Sequence, residues 1–166
     1  MSTLIKNAIL PELFATKEIP AGTVNVLIDG EAIASITPTN TTAPDADTSI
    51  DATGLYLTPG LIDTHVHLLE QGDLKKLANW GVTTVAELGT HPDSLIKELK
   101  ALPNLPTIIS AGTAATAQGS PQTEHMGFPK DSVVSGPDDA ERFIQWRIDN
   151  DADLIKIIVE DPNNPR

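Results

Sequence analysis

The chain has 166 residues and a formal charge of −12, because 23 acidic residues outnumber 11 basic ones. This balance argues against nucleic acid or an anionic membrane surface as a partner, since both repel negative charge. The lack of cysteine excludes disulfides, thiolate nucleophiles and cysteine-ligated zinc, so any metal must be held by His, Asp, Glu or a modified Lys. No apolar run approaches the roughly 20 residues that cross a bilayer, and the first ten residues lack a signal-peptide pattern, so we expect a soluble cytoplasmic protein.

The first part of the chain predicts a small β module. Asp29-Gly30 is a hairpin signal between two runs rich in β-branched residues, and residues 37–49 have the composition of a surface loop. Strands are predicted at 4–10, 24–28 and 31–36, with short pieces at 50 and 55–57.

From Pro59-Gly60 onward, apolar strands alternate with helical patterns. Strands are predicted at 61–69, 82–88, 107–110 and 154–160, and helices at 71–80, at 93–101 with Asp93 as the N-cap, and from Gly136-Pro137 through Ile148. The stretch 111–135 is predicted to be a long loop. This alternation implies parallel βα units, which fit either an open four-stranded α/β layer or the first half of an eight-stranded barrel.

The first of these strands carries two histidines. Side chains alternate between the faces of a strand, so His65 and His67 share a face with Leu61 and Asp63 and lie about 7 Å apart along the strand. Two neutral imidazoles at the end of a parallel strand can bind one divalent ion. The same spacing also fits ordinary surface or core histidines.

Lys156 lies in the middle of the apolar run 154–159, which has the composition of a central parallel strand. A charged lysine there would lose hydration unless it gained a carboxylate partner, a lower pKa or a chemical modification such as carbamylation. A carbamate would offer oxygen ligands that bridge two cations. The alternative is a lysine on an edge strand that reaches into water.

Three segments carry a resemblance to the metal-dependent amidohydrolase superfamily. Residues 59–68, PGLIDTHVHL, resemble its first barrel strand, and residues 81–85, GVTTV, resemble the second. Residues 28–36 and 50–60 resemble the β-sandwich portion that precedes the barrel in those enzymes. Within the superfamily, the chain is most similar to the imidazolonepropionase-like and Xaa-Pro dipeptidase-like branch.

The resemblance implies a fold, a metal centre and a reaction. The fold is α/β, with part of a composite β-sandwich at 1–58 and the first four strands of a (β/α)8 TIM-like barrel at 59–166. His65, His67 and a carbamylated Lys156 are the implied metal ligands, one or two zinc or similar divalent ions are the cofactor, and His125 is the implied substrate contact. The implied reaction is hydrolysis of a non-peptide carbon–nitrogen bond, in a cyclic amide or dipeptide-like small molecule.

The family's two later histidine ligands and its acid/base aspartate have no counterpart in this sequence, so no catalytic acid/base is assigned. We therefore expect an N-terminal fragment with little turnover by itself. Two alternatives remain: a non-catalytic half-barrel that associates with itself or with a missing C-terminal half, and an open α/β binding domain with coincidental histidines.

The remaining polar and aromatic residues are assigned from their places in the predicted elements. Glu87 is expected to be a solvated loop carboxylate rather than a pocket residue, and His91 a surface histidine. Asp63 fits equally a residue that orients a metal ligand and a local hydrogen-bond acceptor. Trp80 and Trp146 are expected to pack helices against the sheet.

Overall fold

A computed structural model describes residues 1–159, and the chain divides into two compact units at Pro59 and Gly60. The first unit is a four-stranded sheet in the order β3-β2-β1-β4. Its strands are β1 (Ser2–Leu10), β2 (Gly22–Asp29), β3 (Ala32–Pro38) and β4 (Thr48–Asp51).

The hairpin predicted at Asp29-Gly30 is present. β2 and β3 pair antiparallel, and Gly30 has a φ of 60°, which suits a residue without a β-carbon in a tight turn. β1 pairs antiparallel with β2 and parallel with β4. The predicted strand at 55–57 is reduced to one parallel bridge between Ile9 and Tyr56. Leu10, Val24 and Val26 form the buried core of this unit.

The second unit is built from parallel βα units, as the alternating pattern predicts. Its strands are β5 (Leu61–Val66), β6 (Val82–Glu87) and β7 (Thr107–Ser110), and its helices are α1 (Gln71–Asn79), α2 (Asp93–Lys100), α3 (Pro121–Glu124) and α4 (Pro137–Asp149). The sheet order is β5-β6-β7, and both pairings are parallel. The stretch 111–135, predicted as a loop, contains α3 and a 3₁₀ turn at Lys130–Ser132.

Apolar residues from the strands and from α1 and α2 form the core of this unit. The buried members are Leu68, Leu74, Val82, Val85, Ile96, Leu99 and Ile108. α1 ends as predicted, since Gly81 directly follows its C-cap Trp80 with a φ of 82°. The N-cap of α2 is Pro92 rather than the predicted Asp93, whose side chain instead binds Arg147.

The fourth predicted strand is absent from the described residues. Residues 154–159 form no strand, Ile157 makes one isolated parallel bridge to Ala115, and Glu160 lies outside the described residues. The path of the segment after β7, which lies beside residues 154–159, explains why no strand forms there. β7 ends at Ser110, and Gly112 turns the chain with a φ of 56°, so main-chain pairing resumes only at Ala115, whose N–H donates to the carbonyl of Lys156 over 2.8 Å.

In residues 1–159 we find no helix with the length and apolar character that crossing a membrane requires.

Candidate functional site

The two predicted metal ligands lie side by side at the carboxyl end of β5. The ring centroids of His65 and His67 are 5.4 Å apart and their planes are inclined by 68°. Both side chains are exposed, with 55% of the His67 side chain accessible. Leu68 directly after them is buried in the core, which fixes the strand end from which the imidazoles project. The carboxyl edge of a parallel sheet is the usual ligand site in α/β folds.

Glu87, expected to be solvated, is fully buried at the end of the adjacent strand β6. Its Oε1 accepts a hydrogen bond from the Thr90 main-chain N–H over 2.5 Å, and its Oε2 accepts one from the Ser110 hydroxyl over 2.6 Å. The same Oε1 lies 3.8 Å from Nδ1 of His67. One sequence signal could have located it, because Glu87 lies two residues after Val85 and so shares the strand face of a buried residue.

Ser110 extends this polar network to the third strand end. Its hydroxyl donates to Glu87 and accepts the Gly112 N–H over 2.8 Å. The buried Glu87 carboxylate therefore joins the carboxyl ends of β6 and β7 by a hydrogen bond, and it lies 3.8 Å from the His67 ring at the end of β5. Gly89 follows in the loop after β6 with a φ of 125°, and a β-carbon built there would lie 3.7 Å from Cε1 of His67.

A buried ion pair holds the loop after β7 in place. The Arg147 guanidinium in α4 donates to both carboxylate oxygens of Asp93 over 2.9 and 2.7 Å. Oδ1 of Asp93 also accepts the Thr113 main-chain N–H over 2.8 Å. Burial opposes ionisation of Asp93, but hydrogen bonds from Arg147 and Thr113 and the Arg147 charge outweigh it, so its pKa lies below the usual aspartate range.

Lys156 does not occupy a buried central strand. It lies in the irregular segment after α4, where its side chain is half-buried and its main-chain carbonyl accepts the Ala115 N–H. Asp153, just before it, bonds the Lys100 ammonium and the Ser110 N–H. Burial opposes ionisation of Asp153, but these two bonds and the Lys100 charge outweigh it and lower its pKa.

Three other polar residues considered in the sequence, Asp63, His91 and His125, lie in different surroundings. Asp63 accepts the His65 main-chain N–H over 3.1 Å, which is the local acceptor role. His125 is exposed at the C-cap of α3. His91 is half-buried, not on the open surface, because its Nδ1 pairs with the Thr113 hydroxyl at 3.0 Å and its ring lies against Phe128.

The two tryptophans differ. Trp80 is 82% exposed, so its predicted packing role is wrong. Trp146 is half-buried against Phe143, with its ring 3.8 Å from the centre of the Arg147 guanidinium.

The residues present fit part of a metal site. His65 and His67 offer two imidazoles at one exposed edge, and the buried Glu87 carboxylate lies behind one of them, an arrangement that orients ligating histidines in proteins. Among residues 1–159, no three His, Asp or Glu side chains are grouped so that they could hold a metal ion. A complete centre therefore needs at least one ligand of another type, such as modified Lys156, or from elsewhere.

Comparison with known proteins adds relatives and structural neighbours, while no family model matches the chain. It is 36% identical over 108 residues to a dihydroorotase of Bacillus licheniformis, covering 59% of this chain and 24% of the relative. It is 48% identical over 48 residues to an imidazolonepropionase of an Arthrobacter species, covering 29% and 12%. A solved Xaa-Pro dipeptidase superposes with a TM-score of 0.70 at 23% identity, covering 95% of this chain and 47% of that one.

These comparisons support the resemblance seen in the sequence at a general level. The homologues and structural neighbours include amidohydrolase-superfamily hydrolases, and the fold is shared with the Xaa-Pro dipeptidase. The chain spans about a quarter of the dihydroorotase and about half of the dipeptidase.

Proposed function

We propose that this chain carries part of the metal centre of an amidohydrolase that hydrolyses a carbon–nitrogen bond other than an ordinary peptide bond. The observation that carries the proposal is the pair of imidazoles at the carboxyl end of β5, with their ring centroids 5.4 Å apart. The curated relatives, a dihydroorotase and an imidazolonepropionase among them, support the reaction class.

In this proposal His65 and His67 hold the metal through imidazole nitrogens, and a carbamylated Lys156 supplies oxygen ligands. A bound divalent cation, which we propose to be one or two zinc ions, would supply a water of lowered pKa and polarise the carbonyl that is attacked. His125 would contact the substrate from the end of α3. The described residues offer no assigned acid/base group for the leaving nitrogen, so we expect little or no turnover from these 166 residues alone.

The proposed substrate is a cyclic amide or a dipeptide-like small molecule. The relatives include a dihydroorotase, and a solved neighbour that covers 95% of this chain is a Xaa-Pro dipeptidase. We propose the branch of the superfamily that contains imidazolonepropionase-like and Xaa-Pro dipeptidase-like enzymes. We also propose that the chain acts in the cytoplasm.

The same proposal assigns an architecture to each unit. Residues 1–58 would form part of a composite β-sandwich and residues 59–166 the first half of a (β/α)8 barrel. Coverage of 95% of this chain by the Xaa-Pro dipeptidase, which is about twice as long, supports this assignment.

Metal binding tests the proposal directly. We expect the purified chain to bind Co²⁺ with a visible absorption band from nitrogen ligands, and His65→Ala and His67→Ala each to remove most of that binding. His91→Gln is the matched control, because His91 bonds Thr113 and faces Phe128 rather than the pair. Equal Co²⁺ binding by the parent and both alanine variants would contradict the proposal.

Turnover by the chain can be measured in the same preparation. Cyclic amides and Xaa-Pro dipeptides, with Zn²⁺ or Mn²⁺ added, are the appropriate substrates. Robust hydrolysis that His65→Ala abolishes would show that the chain is catalytically sufficient and would refute the fragment interpretation.

A second candidate function is a non-catalytic half-barrel that docks with the remaining half of the fold. An apolar groove of about 330 Å³ between α4 and the segment 154–159 favours it, with Phe143, Ile144, Ile155 and Ile157 in its lining. Ile144 and Ile157 in this lining are exposed among the described residues, so we expect reversible self-association in sedimentation experiments. Ile157→Lys should reduce the association and Ile33→Lys, exposed on the first unit, should not. A monomer at all concentrations would count against this function.

A further inference from the structure

Glu87 is a fully buried carboxylate without a lysine or arginine partner among the described residues. Buried carboxylates are rare unless they are paired, because removing the charge from water is costly. Within residues 1–159, the one side chain at ion-pair distance from it is His67. The burial of Glu87 therefore points to a role that involves this imidazole.

The carboxylate is held by the loop after β6 and by the end of β7. The Thr90 N–H fixes Oε1 and the Ser110 hydroxyl fixes Oε2. Each carboxylate oxygen can accept two hydrogen bonds, so Oε1 keeps an acceptor site for Nδ1 of His67. The separation of 3.8 Å is about 0.6 Å beyond hydrogen-bond range, and the exposed His67 ring can turn to close it.

We propose that Glu87 is a positioning residue for His67. Its carboxylate accepts a hydrogen bond from Nδ1–H of the neutral imidazole, which keeps the ring proton on Nδ1 and leaves the lone pair of Nε2 free beside His65. The hydrogen bond made by one ring nitrogen determines which nitrogen carries the proton. The value of this tautomer for metal binding rests on the proposed function, but the tautomer is a property of the metal-free chain.

The proposal differs from a purely structural role in what each substitution should do. Glu87→Met removes both acceptor oxygens while keeping most of the volume. Glu87→Gln keeps one amide oxygen that can accept from Thr90 and His67, so it should restore the tautomer in part. Ser110→Ala removes the support of Oε2 but leaves the carboxylate beside His67.

The tautomer can be measured in the metal-free chain by long-range ¹H–¹⁵N NMR of the histidine rings at about pH 8.5, well above the ordinary histidine pKa of about 6.5. His67→Ala assigns the His67 signals among the four histidines. We expect the parent and Ser110→Ala to show His67 protonated on Nδ1 and Glu87→Met to lose this preference. His67 protonated mainly on Nε2 in the parent would overturn the inference, and this result needs no variant to fold.

Co²⁺ affinity separates this inference from the proposed function. Supporting carboxylates of this kind change metal affinity by about 10- to 100-fold, so Glu87→Met should weaken Co²⁺ binding by that factor, provided that its amide spectrum is native-like. If the parent binds Co²⁺ but Glu87→Met leaves the His67 tautomer unchanged, the inference is overturned and the proposed metal site is retained. A parent with the Nδ1–H tautomer and no Co²⁺ binding would support the inference and overturn the proposed function.

Discussion

Removing the Asp93 partner of the buried Arg147 should strongly destabilise the second unit. The Arg147 side chain is 1% exposed, and its guanidinium donates two hydrogen bonds to the Asp93 carboxylate, at 2.9 and 2.7 Å. Asp93→Ala leaves this buried cation without a charged partner, and breaking a buried pair in this way costs about 3–5 kcal/mol. Because domains unfold with about 5–15 kcal/mol, such a loss would remove a large part of the unit's stability.

Urea unfolding measures this effect with Trp146 as the reporter. Trp146 lies against Arg147, and Trp80→Phe removes the other, exposed tryptophan of the two in the chain. With a denaturant slope of about 2 kcal/mol/M, Asp93→Ala should lower the urea midpoint by about 2 M. Lys97→Ala is the matched control on the same helix. It breaks an exposed 3.0 Å pair with Asp151, and such pairs contribute about 0–1 kcal/mol.

Two results would refute this reasoning. One is a midpoint for Asp93→Ala within about 0.5 M of the parent, which would mean that water or another group replaces the carboxylate at no cost. The other is an equal loss in Lys97→Ala, which would trace the effect to α2 in general.

Three further predictions concern the same unit. Gly112→Ala should destabilise the second unit by about 1–3 kcal/mol, because a β-carbon there clashes with Asp93 and lies 2.7 Å from Arg147 Nη1. A β-carbon at Gly119 meets no atom within 4 Å, so Gly119→Ala should show only the smaller cost of left-handed backbone. Equal losses of stability in urea unfolding would refute the clash. Leu74→Ala should lower the free energy of unfolding by about 2–5 kcal/mol, because Leu74 is fully buried. Leu69 is exposed, so Leu69→Ala should leave the melting temperature nearly unchanged. Similar melting temperatures for the two variants would contradict the assignment of Leu74 to the core. The pKa of Asp93 is lower in the folded than in the unfolded chain, so the ionised carboxylate stabilises the fold above about pH 4 and this stabilisation is lost at lower pH. The urea midpoints of the parent and Asp93→Asn should therefore converge as the pH falls below about 4. A gap that stays constant with pH would refute this linkage.

The parts of the fold that local sequence determines could be predicted. The hairpin follows from Asp29-Gly30 between β-branched runs, and α1 ends where Gly81 accepts a positive φ. The proximity of His65 and His67 follows from the two-residue period of a strand. Each of these features needs only neighbouring residues to be specified.

The features that depend on distant residues could not be predicted. The run 154–159 has strand composition, but the chain after β7 turns at Gly112, so among residues 1–159 the main chain of the run bonds this neighbour only at Ser110 and Ala115 and forms no strand. The burial of Glu87 depends on Ser110, which lies 23 residues away in the sequence. Asp93 looked like a helix cap because its partner Arg147 is 54 residues further along the chain.

The central claim is that His65 and His67 bind one metal ion together. X-ray absorption of the Zn²⁺-loaded chain measures the metal's own ligand shell. The account predicts nitrogen neighbours at about 2.0–2.1 Å, with the multiple scattering of two imidazole rings that falls to one in His67→Ala. A spectrum with oxygen neighbours alone, or one unchanged by His67→Ala, would contradict it.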